Sequence, residues 1–497
     1  MANQVDYRDP TPNNFPQDYD PAKVDPRVKL RSESIKHKQK GKHTREAMYQ
    51  SLEIGATIAS EANTKALDTA SRQDAVDQSQ KDFEDRYNEQ IAGNTDLNEV
   101  IDAREGFTTL NERLSQEVAI GDEYRTSSSA QPMYASAILE VLARTPADTF
   151  NFAVNTDAHY VDVDPNTSLH LNRHSIWHVG NLMALAKKCD LLLLGGDNVD
   201  PYYPDKGMGI KDTEVMVSKL LDNDVDCDRF IALGNHDAGE NGASHVYDGI
   251  TIPDLTYGLV ITEDEFKQIY RTNNQLFGET RDEGSLYFYK DYADKKVRFI
   301  TLMSEDTGDQ VDSNGHLKYT RWMVHAFRQK QLQWFANTLM TTPTDYHVVV
   351  YGHAPLEADT NPADYIDASG NYHDMHFNYE MLMAIIKAWI SGTDYAGSSA
   401  IKDFEANVTA QFSKRGKGIF VGYFGGHYHE EGNDKLQGLN NIWLLNSLAE
   451  KSSAITAPKR EVATLTEDAE TIVSIDTVNR KINLIGLGAA TDRSFNY

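Results

Sequence analysis

The chain has 497 residues, with 48 Lys and Arg against 75 Asp and Glu, a formal charge of −27. That acidic surplus disfavours a general grip on a nucleic-acid backbone and favours local cation sites. Hydrophobic residues make up 40% and there are 2 cysteines, which excludes a disulfide scaffold and argues for two or three units, one of them polar or extended.

Residues 1–45 are rich in Pro, Asp and Asn and then turn basic, from Arg27 to Arg45. Nothing in them buries a core, so they read as an N-terminal arm. Met1–Pro10 has neither a basic cluster nor an apolar run, so the expectation is synthesis in a cytoplasm without a signal peptide. No window approaches the roughly 18 apolar residues of a membrane span.

Residues 46–95 lack proline and carry a repeat alternating by four and three: Met48, Leu52, Gly55, Ala59, Ala62, Ala66, Thr69, Gln73, Val76, Gln80, Phe83 and Tyr87. Such a seam predicts an N-terminal α-helical coiled coil. Its middle is small and polar, so an isolated helix would bury too little to stand alone. Residues 96–144 read as connector and linker, with Thr126–Gln131 the most flexible part.

From 145 to 497 the texture is that of an α/β domain. Apolar runs of strand length recur at Phe152–Val154, Leu191–Leu194, Phe230–Leu233, Val297–Leu302, Val348–Tyr351, Ile419–Phe424 and Ile442–Leu445. Helical stretches at Ile176–Lys188, Thr213–Leu221, Gln329–Leu339 and Tyr379–Ile390 separate several of them, as in layered folds with buried sheets. Thr471–Leu487 reads as a closing hairpin, and Cys189 and Cys227 as small buried thiols beside strands.

Five of these strands run straight into polar clusters. They give NFAVNTDAH (Asp157, His159), LLLLGGD (Asp197), FIALGNHD (Asn235, His236, Asp237), VVVYGH (His353) and FVGYFGGHYH (His427, His429). Side chains converge at the carboxyl ends of strands in α/β proteins. Imidazoles, carboxylates and a carboxamide without thiolate suit two divalent or trivalent cations of the Mn, Fe, Zn or Co type, with Mn the first expectation. His174 and His178, four apart on a helix, read as a solvated face, and His373 and His376 as loop residues at the surface.

The order D-x-H, GD, GNHD, GH, GHxH resembles the calcineurin-like metallophosphoesterases over about residues 150–450. The resemblance implies a two-sheet α/β sandwich with the site at one edge. It implies that Asp157, His159 and His429 hold one metal and that Asn235, His353 and His427 hold the other, with Asp197 bridging. His236 would face the substrate phosphate and protonate the leaving group, oriented by Asp237. The insert 238–346 would shape the substrate pocket.

The front of the chain carries a second resemblance. The segment from Thr44 to Tyr87 and NEVIDAREGFTTLNERL (98–114) resemble coiled-coil and connector segments of tail and baseplate proteins from phages of Gram-positive bacteria. The ending GLGAATDRSFNY is similar to the close of phage-borne phosphoesterase domains. This implies a homotrimer mounted on a phage tail in the virion, docked through its N-terminal region on other tail proteins. Its phosphodiesterase would act on cell-envelope polymers such as teichoic acid during adsorption. The alternatives are a nucleotide or nucleic-acid phosphoesterase and a non-catalytic receptor-binding tail protein.

Overall fold

The computed structural model describes residues 24–37, most positions of 48–59, 130–162, 170–201, 206–240, 246–247, 250–251, 257–313, 315–364, 373–448, 460–461 and 464–497. The chain divides into two compact units, Met1–Arg113 and Leu114–Tyr497. In the first, α1 (Pro26–His37) begins where the Asp25 carboxylate accepts the backbone N–H of Arg27 at 2.9 Å. Described positions between 48 and 59 are helical, and Arg31 reaches Gln50 there. The coiled-coil expectation beyond residue 59, and the connector as far as 129, lie outside the described residues.

The second unit opens with α2 (Ala135–Arg144), whose Ile138, Val141 and Leu142 are buried. The linker reading of 96–144 therefore fails for these ten residues: an apolar stripe at helical spacing puts them in the core. The strands are β1 (Phe150–Asn155), β2 (Leu191–Leu194), β3 (Asp228–Ile231), β4 (Val246–Tyr247), β5 (Ile250–Thr251), β6 (Thr280–Arg281), β7 (Phe288–Tyr292), β8 (Val297–Thr301), β9 (Val324–Ala326), β10 (His347–Tyr351), β11 (Met375–Phe377), β12 (Tyr395–Ser399), β13 (Ala406–Ala410), β14 (Ile419–Gly425), β15 (Gly432–Leu436), β16 (Leu439–Trp443), β17 (Ala469–Asp476), β18 (Lys481–Gly488) and β19 (Arg493–Asn496). The longer helices are α3 (His170–Ala184), α4 (Lys206–Leu221), α5 (Glu263–Ile269), α6 (Gln329–Thr341) and α7 (Tyr379–Ser391).

Two mixed sheets form the body. One runs β19-β18-β17-β1-β2-β3 and the other β15-β16-β14-β10-β8-β7-β6. Parallel runs are β1-β2-β3, the half of the first sheet that ends at its β3 edge, and β8-β10-β14-β16, the centre of the second. The period-two alternation of each strand sorts its residues between faces. Phe152, Val154, Leu191 and Leu193 meet Phe299, Val349, Tyr351 and Phe424 in a shared inner layer. Ala153, Leu192 and Leu194 turn outward onto Ile176, Val179 and Leu182 of α3. Val348 and Val350 turn the other way, onto Leu332 and Phe335 of α6 and Ile385 and Trp389 of α7. The result is a helix–sheet–sheet–helix sandwich, as an α/β chain with doubly buried strands requires.

Two surface expectations are corrected. His178 is 1% exposed, and its Nδ1 lies 2.8 Å from Ser447 Oγ. With Asp468 and Glu467 at 3.4 Å it ties α3 to the start of β17. His376 stands in β11 and is 9% exposed, whereas His373 remains exposed. Cys189 and Cys227 are half-buried against the α3–α4 layer, and burial pushes the Cys227 thiol up to about 12.

Candidate metal centre

Every block of the sequence pattern falls just past the carboxyl end of a parallel strand. Asp157 and His159 follow β1, Asp197 follows β2, Asn235 and His236 follow β3, His353 follows β10, and His427 and His429 follow β14. The backbone is left-handed at Asp157 (φ 54°), His159 (45°), Asp197 (48°), His427 (70°) and His429 (55°). Non-glycine residues held there cost about 1–3 kcal/mol each, which persists only where the surroundings fix them. Two glycines show why the turns are so tight. A Cβ on Gly234 would lie 2.2 Å from Asp197 Oδ1, and one on Gly426 2.3 Å from Asp157 Oδ2.

The turns bring the seven expected ligands together in two groups. Donor atoms of Asp157, His159, Asp197 and His429 lie within 4.8 Å of one another, as do those of Asp197, His353 and His427. Asp197 belongs to both. Its Oδ2 stands 3.2 Å from His353 Nε2 and 3.7 Å from His159 Nε2, one imidazole of each group. Asn235 joins the second group through Oδ1, 2.9 Å from His427 Nδ1 and 3.2 Å from His353 Nε2.

These spacings provide a test of fit. Two donors about 2.1 Å from one cation, at about 90–110° to each other, stand about 3.0–3.4 Å apart. His159 and His429 present Nε2 to Nε2 at 2.9 Å, and His429 Nε2 lies 3.3 Å from Asp157 Oδ1. Two imidazole nitrogens that close repel through their lone pairs unless a proton or a cation lies between them. The donor set is nitrogen and oxygen throughout, so the residues present fit a pair of borderline cations.

Neighbours orient the donors. The His353 Nδ1–H donates to the Gly195 carbonyl at 3.0 Å, which turns the Nε2 lone pair toward Asp197. The Asn235 amide donates Nδ2–H to the Trp322 carbonyl, which aims its oxygen at the two imidazoles. Burial alone would raise the Asp157 carboxyl, but His353 and His429 beside it hold it down at about 2. Asp197 is likewise buried yet held well below its usual range by His353 and His236. Burial holds His427 well below its usual range, toward the neutral form that ligates.

His236 and Asp237 part company with the expectation. The Asp237 carboxylate is engaged by the loops around it: it accepts the backbone N–H groups of Gly234 (2.8 Å) and Val199 (3.0 Å) and the Asn198 amide (3.0 Å), so it braces the loop. The residue that orients His236 is Asp200, whose Oδ1 lies 2.9 Å from His236 Nδ1. The other Asp200 oxygen is 3.4 Å from His159 Nδ1, linking the two rings. Asp200 sits three residues after Asp197 in GDNVD, a nearby acid that sequence spacing offered and that the family pattern did not mark. Burial works against a charged His236, but Asp200 and Asp197 raise it to about 9. His236 and His429 are about one-fifth exposed while Asp157, Asp197 and His353 are sealed, so the centre opens on the His236–His429 side.

No family model and no curated protein matches the sequence. Among solved structures, the chain is similar to a dimetal phosphatase from Danio rerio, at 14% identity and a TM-score of 0.41, over 70% of this chain and 99% of that one. It is also similar to GAP50, the anchor in the inner membrane complex of Plasmodium, at 10% identity and 0.33, over 70% and 88%. Both likenesses are too distant to assign fold or function.

Proposed function

We propose that the chain is a two-metal phosphoesterase acting on phosphodiesters. The observation that carries this is the Asp197 carboxylate shared by two donor groups, with an oriented imidazole, His236, at their open side. Asp157, His159 and His429 would hold one cation and Asn235, His353 and His427 the other. When bound, such a pair lowers the pKa of a water and neutralises charge building on the phosphoryl oxygens.

The chain's own residues supply the rest. The backbone N–H of His236 donates to Asp197 Oδ1 at 2.8 Å, so the loop carrying the acid is locked to the bridging ligand. Asp200 holds Nδ1 of His236, and the proton for the leaving alkoxide comes from Nε2. The carboxylates that raise His236 keep that proton in place at neutral pH. Mn is the first metal to try, then Fe, Zn and Co. Hydrolysis of bis-p-nitrophenyl phosphate by the chelator-stripped protein should require added Mn and vanish in Asp197→Ala. Turnover that survives stripping would refute the metal reading.

The substrate proposal is a teichoic acid of the Gram-positive envelope, cut by an enzyme mounted on a phage tail or baseplate. The N-terminal resemblance to tail proteins supports it, and so does the density of phosphodiesters such an enzyme meets on the wall. Trimeric display would hold a polymer by multivalency even where each site binds weakly. The charge of −27 opposes approach of a polyanion, so the reading requires local cations at the site. Purified wall from a susceptible host should release glycerol-phosphate or ribitol-phosphate fragments only with metal present. Untouched wall beside efficient cleavage of nucleotides or DNA would put a nucleotide or nucleic-acid phosphoesterase in its place. Binding of wall without any cleavage would leave a receptor-binding protein.

A further inference from the structure

Outside the seven ligands a second set of donors gathers on the short parallel pair β9–β11. His325 stands opposite His376 in register, so both side chains leave the same face. Val324, Ala326, Met375 and Phe377 leave the other face and pack with Phe404. The two imidazoles stack at 5.0 Å between centroids, and Asp374 immediately precedes the second strand. Donor atoms of His325, Asp374 and His376 all lie within 4.8 Å of one another.

The polar geometry here is that of a ligand set. His325 is fully buried, and its Nδ1 lies 3.3 Å from Glu305 Oε1, which takes the Nδ1–H. That arrangement, a carboxylate behind an imidazole, turns the Nε2 lone pair outward as it does behind metal-bound histidines. Nε2 makes no hydrogen bond of good geometry, although Asp374 Oδ1 is only 3.1 Å away. The oxygen therefore lies off the axis of the ring nitrogen, at the separation of about 3.0–3.4 Å expected of two ligands on one cation. The second Glu305 oxygen is also buried without a hydrogen-bond partner.

We infer that His325 Nε2, Asp374 and His376 form a third cation site, separate from the pair that shares Asp197. Two nitrogens and one carboxylate suit a borderline cation such as Zn²⁺ or Co²⁺ rather than Mg²⁺ or Ca²⁺. Asp374 is about half exposed, so the site opens to solvent and keeps positions for water or an anion. The His325 ring packs edge-on to His427 at 4.7 Å, which places this cation next to the second donor group.

The test is a metal count on the full-length protein, stripped with chelator, reloaded with Zn²⁺ and measured by mass spectrometry after desalting. The wild type should hold three equivalents per chain, and Asp374→Asn and His376→Ala two each. Asp374→Asn is the safer variant because its side chain is half exposed. An anomalous difference map at the zinc edge should place the extra peak between His325 Nε2 and Asp374 Oδ1. Two equivalents in the wild type, or three retained in both variants, would overturn the inference. Failure of the two-metal reading would instead remove the equivalents that depend on Asp197.

Discussion

The two sheets contribute unlike chemistry to one centre. The six-stranded sheet delivers both carboxylates and the carboxamide, Asp157, Asp197 and Asn235, with His159 and His236 beside them. The seven-stranded sheet delivers imidazoles alone: His353, His427 and His429. Each of the two groups that share Asp197 takes donors from both sheets. The acids lie on one side of the sandwich and most of the imidazoles on the other. The centre is therefore as well made as the packing between sheets, where Phe152 meets Phe299 at 5.1 Å and Phe424 at 5.5 Å. The lesson is that a rigid apolar interface sets polar distances.

Breaking the contribution of the acidic sheet should have the largest effect. Asp197→Ala removes the only donor common to both groups, so metal analysis should show both equivalents lost and hydrolysis at background. Retention of two bound metals in that variant would refute the bridging role. His236→Ala leaves both groups whole, and turnover should fall by roughly 10²–10⁴-fold with metal content intact. The loss should shrink for nitrophenyl leaving groups, which need no proton. An equal loss for good and poor leaving groups would reduce His236 to an electrostatic role. Asp200→Asn should cost roughly 10–100-fold, through His236 and the second ring nitrogen of His159. Its pH profile for poor leaving groups should shift toward acid as His236 loses a carboxylate partner, and an unmoved profile would deny that coupling. The smallest effect is expected from removing residues 1–129, since the described contacts of the sandwich begin at Ala130 and Gln131, whose N–H donates to Asn181. Turnover should be unchanged and the trimer proposed for the full chain should fall to a monomer by light scattering; a trimeric truncation would move the contacts into the enzyme unit.

Much of this was legible in the residues because the centre lies at strand ends. A run such as LLLLGGD announces both a buried strand and the turn that ends it. The seven donors all fall just past such strand ends. What could not be read was contact between segments distant in sequence. Asp237 follows His236 directly and yet braces Gly234 and Val199, while Asp200, 36 residues earlier, holds the ring. His178 on its helix gave no hint of Glu467, 289 residues away. His376 read as loop because a three-residue strand is too short to show a period. The helix Ala135–Arg144 was hidden by the adjoining polar linker, although its apolar positions follow a helical stripe.

On this reading Asp197 is shared by two cations, each held by donors from both sheets. Crystals soaked in Mn²⁺ and measured for anomalous scattering test it most directly. Two peaks should flank Asp197 about 3.5–4 Å apart, one against Asp157, His159 and His429 and the other against Asn235, His353 and His427. A single peak, or two that leave Asp197 outside their coordination, would contradict the account.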